Sequence, residues 1–313
     1  EVLASDMQGR EDLTGEKFIT IDGSTAKDFD DAILVQKTSS GFHLKVAIAD
    51  VSHYVKPGTA IDKDAYERGT STYFPNFVAP MLPEVLSNEL CSLKPHVKRL
   101  AMVADISLNY NGELQGTKFY EAVIESHARV TYGEAQEVID GSCPEKLKLV
   151  EREILLAADL AKILMAKRFN EGSLDLELPE TEIELDETGA PVDIIKSERI
   201  FSHRLIEEMM LMANVAVAKF FRSKNIPALN RIYEPPDNDA VKMLETYMHN
   251  FGFKTSLSGS KLQKKITKAL QKFHGQAHHH ILSILTLRTM SQAKYSPEDV
   301  GHFGLGFDDY VHF

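Results

Sequence analysis

In the first half of the chain, apolar residues recur at every second position or in short runs, and this pattern predicts β-strands. Turn residues such as Ser39, Ser40 and Gly41 separate these segments. The predicted strands cover residues 18–22, 31–36, 42–49, 102–110 and 114–123, the last two forming a hairpin. We expect residues 1–16 to be an extended polar lead-in from a preceding domain.

The second half of the chain changes to a repeat near 3.6 residues, which predicts helices. Ser142, Pro144 and Glu145 resemble a helix start with a capping box, and this helix is expected to run to about Phe169. A second hairpin is predicted over residues 182–185 and 192–195. The other predicted helices cover residues 61–68, 203–223, 237–251, 261–273 and 277–293. Strands followed by helices favour an α+β fold, with one large domain over residues 17–313.

Composition narrows the class of protein. The net charge of -11 argues against a strongly basic nucleic-acid binder, and no apolar run approaches the ~18 residues of a membrane span. Cys91 and Cys143 lack the spacing of a metal site or a disulfide framework, which favours the reducing cytoplasm. One basic helix face is still predicted. It is either an ordinary solvated face or a contact for phosphates, and it consists of Lys261, Lys264, Lys265, Lys268 and Lys272.

The densest cluster of charge is acidic. Asp22, Asp28, Asp30 and Asp31 stand within ten residues, between two apolar runs. Carboxylates this close repel one another, and a hard divalent cation with oxygen ligands relieves the repulsion. The alternatives are a solvated loop and a calcium loop, but the EF-hand spacing fails and a strand follows instead of a helix. The segment therefore predicts a metal-centred active site.

Six motifs, spread in order over nearly the whole chain, carry a resemblance to a known family. The motifs are ITIDGSTAKDFDDA, IADVSHYVKPGT, RGTSTYFPNFVAPMLPEVLSNELCSL, HRLIEEMMLMAN, NRIYEPPD and GHFGLGFDDYVHF. Together they resemble the RNB catalytic domain of the ribonuclease II/R family, and their residues are closer to those of the ribonuclease R branch. The resemblance implies an RNB-type fold, in which helices surround a mixed or antiparallel sheet core. It also implies processive 3′→5′ hydrolysis of single-stranded RNA to nucleoside 5′-monophosphates.

The resemblance assigns roles to the aspartates and implies Mg²⁺ as the cofactor, with Mn²⁺ as an alternative. Asp22, Asp28 and Asp31 match the residues that bind or orient the first cation. Asp30 matches the residue that is essential for cleavage and is associated with the second cation. This division agrees with two-metal hydrolysis, in which one ion activates water and the other stabilises the leaving oxygen.

Three further residues are expected to contact the RNA 3′ end. Tyr73 matches an aromatic residue that stacks on a base, and it lies in an irregular, proline-rich stretch over residues 72–95. Tyr132 and Glu207 match positions that contact ribose, although the sequence leaves Glu208 open for the second role. At the Leu176 position some family members carry a stacking phenylalanine.

The same resemblance predicts a monomeric parent protein with flanking OB-fold RNA-binding domains and no membrane association. A family arginine motif is expected after Phe313, so a polypeptide that stops there is predicted to be impaired. The alternative is a non-catalytic RNA-binding module that retains the fold. A metal-dependent DNase or phosphatase is a third hypothesis, and comparing RNA, DNA and mononucleotide substrates separates it from the first.

Overall fold

The computed structural model describes residues 2–75, 77–174, 180–197, 199–254, 256–259, 261–273, 275–276 and 278–313. Contacts divide the chain into two compact units, of which the first comprises Glu1–Lys162 and Thr181–Met210. The second unit comprises Ile163–Glu180 and Leu211–Phe313. The single large domain after a lead-in stays a prediction, because compactness alone does not define a folding domain. Leu176 and the expected helix start at Ala277 lie outside the described residues.

The α+β class with a mixed sheet is confirmed. The strands are β1 (Glu11–Asp12), β2 (Phe18–Asp22), β3 (Asp31–Lys37), β4 (Gly41–Ala49), β5 (Thr72–Phe74), β6 (Phe77–Ala79), β7 (Lys98–Asn109), β8 (Leu114–Thr131), β9 (Glu180–Leu185), β10 (Pro191–Ser197), β11 (Asn230–Ile232) and β12 (Lys294–Ser296). The α-helices are α1 (Val51–Tyr54), α2 (Ala60–Arg68), α3 (Tyr132–Ile139), α4 (Glu151–Glu171), α5 (Phe201–Lys224), α6 (Asn238–Asn250), α7 (Leu262–Phe273) and α8 (His279–Thr289).

The main sheet of the first unit closes on itself. Strand β2 pairs with β3, β3 with β4, β4 with β7 and β7 with β8, all antiparallel. The C-terminal part of β8 then leaves β7 and pairs in parallel with β2, which completes a ring. Strand β1 adds a short parallel pairing to β8. Every strand of the ring therefore has two neighbours, and the end of β2 is held by β8, where Asp22 pairs with Thr131.

Strands β2 and β3 and most of β4 are buried on both faces, which explains why they read as apolar runs rather than as strict alternation. On β3, Ala32 and Leu34 join a core cluster with Phe29 and Leu93. Ile33 and Val35 point to the other face and are also buried. The sheet is thus a rigid frame for the residues that follow its strand ends.

Several boundaries differ from the prediction. The expected capping box near Ser142 is wrong, because the 3₁₀ turn Glu145–Leu147 has no side-chain cap and α4 begins only at Glu151. A capping box exists at the start of α3, a helix that the prediction missed, where Thr131 and Glu134 bond each other's backbone N–H groups. Residues 4–9 form turns before β1.

In the second unit, α6, α7 and α8 pack around a separate apolar cluster that includes Leu244, Met248, Ile266 and Leu282. On α7 the predicted lysines lie mostly on the exposed side of the helix, opposite this cluster. Among the helices that the structure describes, none combines the length and the apolar character that crossing a bilayer requires.

Candidate active site

The four aspartates lie around the connection between β2 and β3. Asp22 is the last residue of β2 and Asp31 is the first residue of β3, while Asp28 and Asp30 belong to the connection. Because the two strands are antiparallel neighbours, the end of one and the start of the next meet at the same edge of the ring. Asp30 is exposed, and the other three are partly buried.

Phe29 fixes the middle of this connection by burying its ring in the core cluster. Its N–H donates to Ser92 Oγ at 3.0 Å, and Ser92 Oγ donates to the Lys27 carbonyl at 3.0 Å. The Leu93 N–H donates to the Phe29 carbonyl at 2.8 Å. Residues 27–29 are therefore attached to a separate segment of the unit, and Asp28 and Asp30 lie on either side of the anchored Phe29 side chain.

The first part of the connection is held by Arg129 on β8. Its Nη2 donates to the carbonyls of Ser24 at 2.7 Å, Gly23 at 3.3 Å and Ala26 at 3.4 Å. Arg129 was not predicted as a site residue, because nothing in the local sequence shows that β8 reaches the β2–β3 connection.

Asp22, Asp30 and Asp31 hold protons more tightly than ordinary carboxylates. Burial, followed by the charges of Asp31 and Asp30, raises the pKa of Asp22 to about 7, although Arg129 acts in the opposite direction. Burial and the charge of Asp30 raise the pKa of Asp31 to about 6. Desolvation and Asp28 also raise the pKa of Asp30. Mutual repulsion of this kind is relieved by a cation placed among the carboxylates.

The donor set suits a hard divalent cation, since all four side chains offer carboxylate oxygens. Asp22 Oδ2 is buried and accepts no hydrogen bond from the described residues, as expected of an oxygen reserved for an ion. Within the described ranges, however, no three acidic, histidine or cysteine side chains form a group that could hold a metal ion as they stand. The carboxylate oxygens are therefore suitable ligands for such a cation, but the side chains must move closer together to share one ion.

Tyr132 lies next to this cluster because the strand pairing puts it there. Thr131 is the partner of Asp22 in the β2–β8 ladder, and Tyr132 follows directly as the first residue of α3. Burial, and then the charges of Asp22 and Asp31, raise the pKa of the Tyr132 hydroxyl. Ser202 Oγ donates to the Tyr132 carbonyl at 2.7 Å. The predicted ribose contact is thus brought to the acidic cluster.

The two adjacent glutamates near the start of α5 differ in their exposure to solution. Glu208 is only 3% exposed. Glu207 keeps a side chain that is 32% exposed and forms an ion pair with Arg199. Glu207 is therefore the more exposed of the two, and which of them contacts a ribose stays a prediction.

Tyr73 lies on a separate two-stranded sheet, formed by β5 and β6, rather than on the ring. Its side chain is 68% exposed and stands opposite Val78. On the other side of the hairpin, the rings of Phe74 and Phe77 stack with centroids 6.2 Å apart. The side chain of Tyr73 is therefore open to solution, and its stacking on a base stays a prediction.

Comparison with known proteins identifies the family of the chain. A family model described as the RNB domain matches residues 10–313. Ribonuclease R of Aquifex aeolicus is 40% identical over the whole chain, which spans 45% of that protein, and ribonuclease R of Escherichia coli is 38% identical, with 39% spanned. Mycoplasma genitalium RNase R, solved with ribose-methylated single-stranded RNA, superposes with a TM-score of 0.93 at 33% identity, over all of this chain and 50% of that one. The chain therefore belongs to the RNB-domain family.

Proposed function

We propose that this protein is a divalent-cation-dependent exoribonuclease that hydrolyses single-stranded RNA processively from its 3′ end and releases nucleoside 5′-monophosphates. The observation that carries the proposal is the acidic cluster at the edge of the ring of strands, in which burial, and then the charges of neighbouring carboxylates, raise the pKa of Asp22 to about 7 and that of Asp31 to about 6. The names of the relatives support the class of substrate. Because the chain spans 45% and 39% of two of them, the activity of the whole protein is part of the proposal.

The carboxylates divide the work in this proposal. Asp22, Asp28 and Asp31 hold one Mg²⁺ or Mn²⁺, and Asp30, the exposed member, contributes to a second and is required for cleavage. When bound, such ions supply an activated water and stabilise the leaving 3′ oxygen. The protein contributes rigid placement, since positioning accounts for much of the catalysis of phosphoryl transfer.

Three side chains hold the RNA in this proposal. Tyr132, beside Asp22, and Glu207, at the start of α5, contact the ribose, whose 2′-hydroxyl distinguishes RNA from DNA. Tyr73 stacks on a base, and because every base has an aromatic face, such contacts tolerate sequence variation and suit a processive enzyme. We also propose that the whole protein acts as a monomer with flanking OB-fold domains that bind the same strand.

The test is a 5′-labelled single-stranded RNA incubated with the protein and Mg²⁺. We expect a ladder that shortens from the 3′ end, abolished by EDTA and lowered at least about 100-fold by Asp30→Asn, the scale of losing an electrostatic catalytic group. Asp64→Asn is the matched control, since Asp64 forms an exposed ion pair with Arg68 on α2. It should leave the ladder unchanged.

Other results would favour the alternatives. RNA binding without turnover in the presence of Mg²⁺ would identify a non-catalytic RNA-binding module. Equal cleavage of DNA or of mononucleotides would identify a DNase or a phosphatase. That a polypeptide ending at Phe313 is impaired stays a prediction, and comparing its turnover rate with that of a version extended through the family arginine motif tests it.

A further inference from the structure

Residues 23–27 join two of the proposed ligands, Asp22 and Asp28, without forming a helix or a strand. The distance between these two carboxylates is therefore set by whatever holds the loop. Ser92 and Leu93 hold its far end, as described above. Its near end is held by the Arg129 guanidinium through three backbone carbonyls, of which the Ser24 contact is the shortest at 2.7 Å.

Arg129 is itself fixed to the frame. It is the cross-strand partner of Thr20 in the β2–β8 ladder, two residues before the end of β2. Its guanidinium lies over the ring of Phe29, 5.2 Å from the centroid. A planar fork of N–H donors that also stacks on an aromatic ring is specific to arginine, because a lysine ammonium offers a point charge without this geometry.

Three buried polar atoms beside this contact have no hydrogen-bond partner among the described residues: Thr20 Oγ1, Asp22 Oδ2 and Arg129 Nε. Thr20 and Asp22 point to the same face of β2, since they are two residues apart, and Arg129 pairs with Thr20. A donor, a hydroxyl and a carboxylate oxygen therefore lie together on one patch of two paired strands. Buried groups of this kind are normally satisfied, so they mark a place where the structure is completed by hydrogen bonding or by a ligand.

We propose that Arg129 is a positioning residue for the acidic cluster: by fastening residues 23–26 to β8 it sets the separation of Asp22 and Asp28, and with it the affinity for divalent cations. This inference rests on the proposed function, which makes those aspartates ligands. Its positive charge also offsets part of the repulsion among the carboxylates. The geometric role and the charge are separable, because lysine keeps the charge and loses the fork.

The test uses Mn²⁺ as the probe and the full chain freed of metal, with binding measured by calorimetry at fixed pH. Arg129→Lys should weaken Mn²⁺ binding by about 10- to 100-fold, the range typical of residues that orient metal ligands. Hydrogen exchange should show faster exchange of the amides of residues 23–28 in the same variant. Arg129→Met removes the charge as well and should weaken binding at least as much.

Arg10→Lys is the matched control. The side chain of Arg10 is 5% exposed, and its guanidinium bonds Asp50 at 2.6 Å on another part of the same unit. This variant should lower the melting temperature and leave the Mn²⁺ affinity unchanged. Equal loss of affinity in Arg10→Lys and Arg129→Lys would overturn the inference, since general destabilisation would then explain both.

Unchanged affinity in Arg129→Lys, with binding by the unmodified chain intact, would overturn the inference alone. Lack of Mn²⁺ binding by the unmodified chain would overturn the proposed function and this inference together. Mn²⁺ binding by the unmodified chain therefore distinguishes the two failures.

Discussion

The rings of Tyr132 and His203 stack on each other, with centroids 4.0 Å apart and planes inclined by 24°. Tyr132 begins α3 and His203 lies in the first turn of α5, so this contact joins the starts of two helices. His203 was predicted only as part of a family motif. In the structure its ring packs against that of Tyr132, the proposed ribose contact beside the acidic cluster.

Replacing His203 by Ala should therefore loosen Tyr132. We expect a loss of about 1 kcal/mol in the free energy of unfolding from the lost ring pair, and a lower preference for RNA over DNA. The measurement is the ratio of kcat/KM for matched RNA and DNA strands. Tyr132→Phe keeps the stack and removes only the hydroxyl, so it should lower the same ratio without loss of stability. If neither variant changes the ratio, Tyr132 has no role in ribose recognition.

Truncation of Tyr73 should weaken RNA binding. Tyr73→Ala is expected to lose about 1–3 kcal/mol of binding free energy, the value of stacking on one base, while the melting temperature stays the same because the ring is 68% exposed. Fluorescence anisotropy with a labelled RNA 3′ end measures the affinity. Tyr66→Ala is the control, since Tyr66 is 88% exposed on α2. The stacking role is wrong if both variants bind equally well.

The adjacent glutamates should respond differently to the same substitution. Glu207→Gln breaks an exposed ion pair and should cost under about 1 kcal/mol of stability while reducing RNA affinity. Glu208→Gln alters a carboxyl that is 3% exposed and should cost about 1–3 kcal/mol. Urea unfolding and RNA binding measured on both variants check this. Retained RNA affinity in Glu207→Gln would reassign the ribose contact.

The stability of the metal-free chain should depend on pH through Asp22. Its pKa is about 7 in the folded chain and ~3.9 in an unfolded one, so the folded state binds more protons between these values. The free energy of unfolding therefore falls as pH rises through this window. Asp22→Asn removes this effect. The melting temperature of the variant, relative to that of the unmodified chain, should therefore increase from pH 5.5 to pH 8.

The control for this prediction is added Mg²⁺. Cation binding requires ionised carboxylates, so Mg²⁺ should raise the melting temperature of the unmodified chain more at pH 8 than at pH 5.5. In Asp22→Asn the increase should be smaller. A melting temperature difference between variant and unmodified chain that does not change with pH would contradict the raised pKa.

Sequence patterns predicted the start of the sheet well because its strands are defined locally. The predicted strand over residues 18–22 has the bounds of β2. The hairpin of β7 and β8 was found, but β8 was expected to end at Val123 and continues to Thr131. In its last residues only Ser126 interrupts the apolar alternation, and the strand remains extended there because β2 pairs with it. Such non-local pairing has no signal in one sequence.

The acidic ligands were visible in the sequence because like charges at short spacing need a physical explanation. The residues that hold them were not visible. Ser92 and Arg129 bond backbone carbonyls of distant segments, and ordinary serines and arginines make such bonds anywhere. Helix α3 was missed although Thr131 and Glu134 have the spacing of a capping box, since only eight residues with one glycine follow the cap.

The ring of strands has a consequence for how the chain folds. It closes where β2 meets the end of β8, and the Arg129–Gly23 contact across this seam joins residues 106 positions apart. The pairings of β3 with β4 and of β7 with β8 are local by comparison, and short loops close before long ones. The aspartates lie on one side of the seam, whereas Arg129 and Tyr132 lie on the other. An open ring would therefore hold the aspartates apart from Arg129 and Tyr132, and we expect the full affinity for cations to be acquired during refolding only when this seam closes.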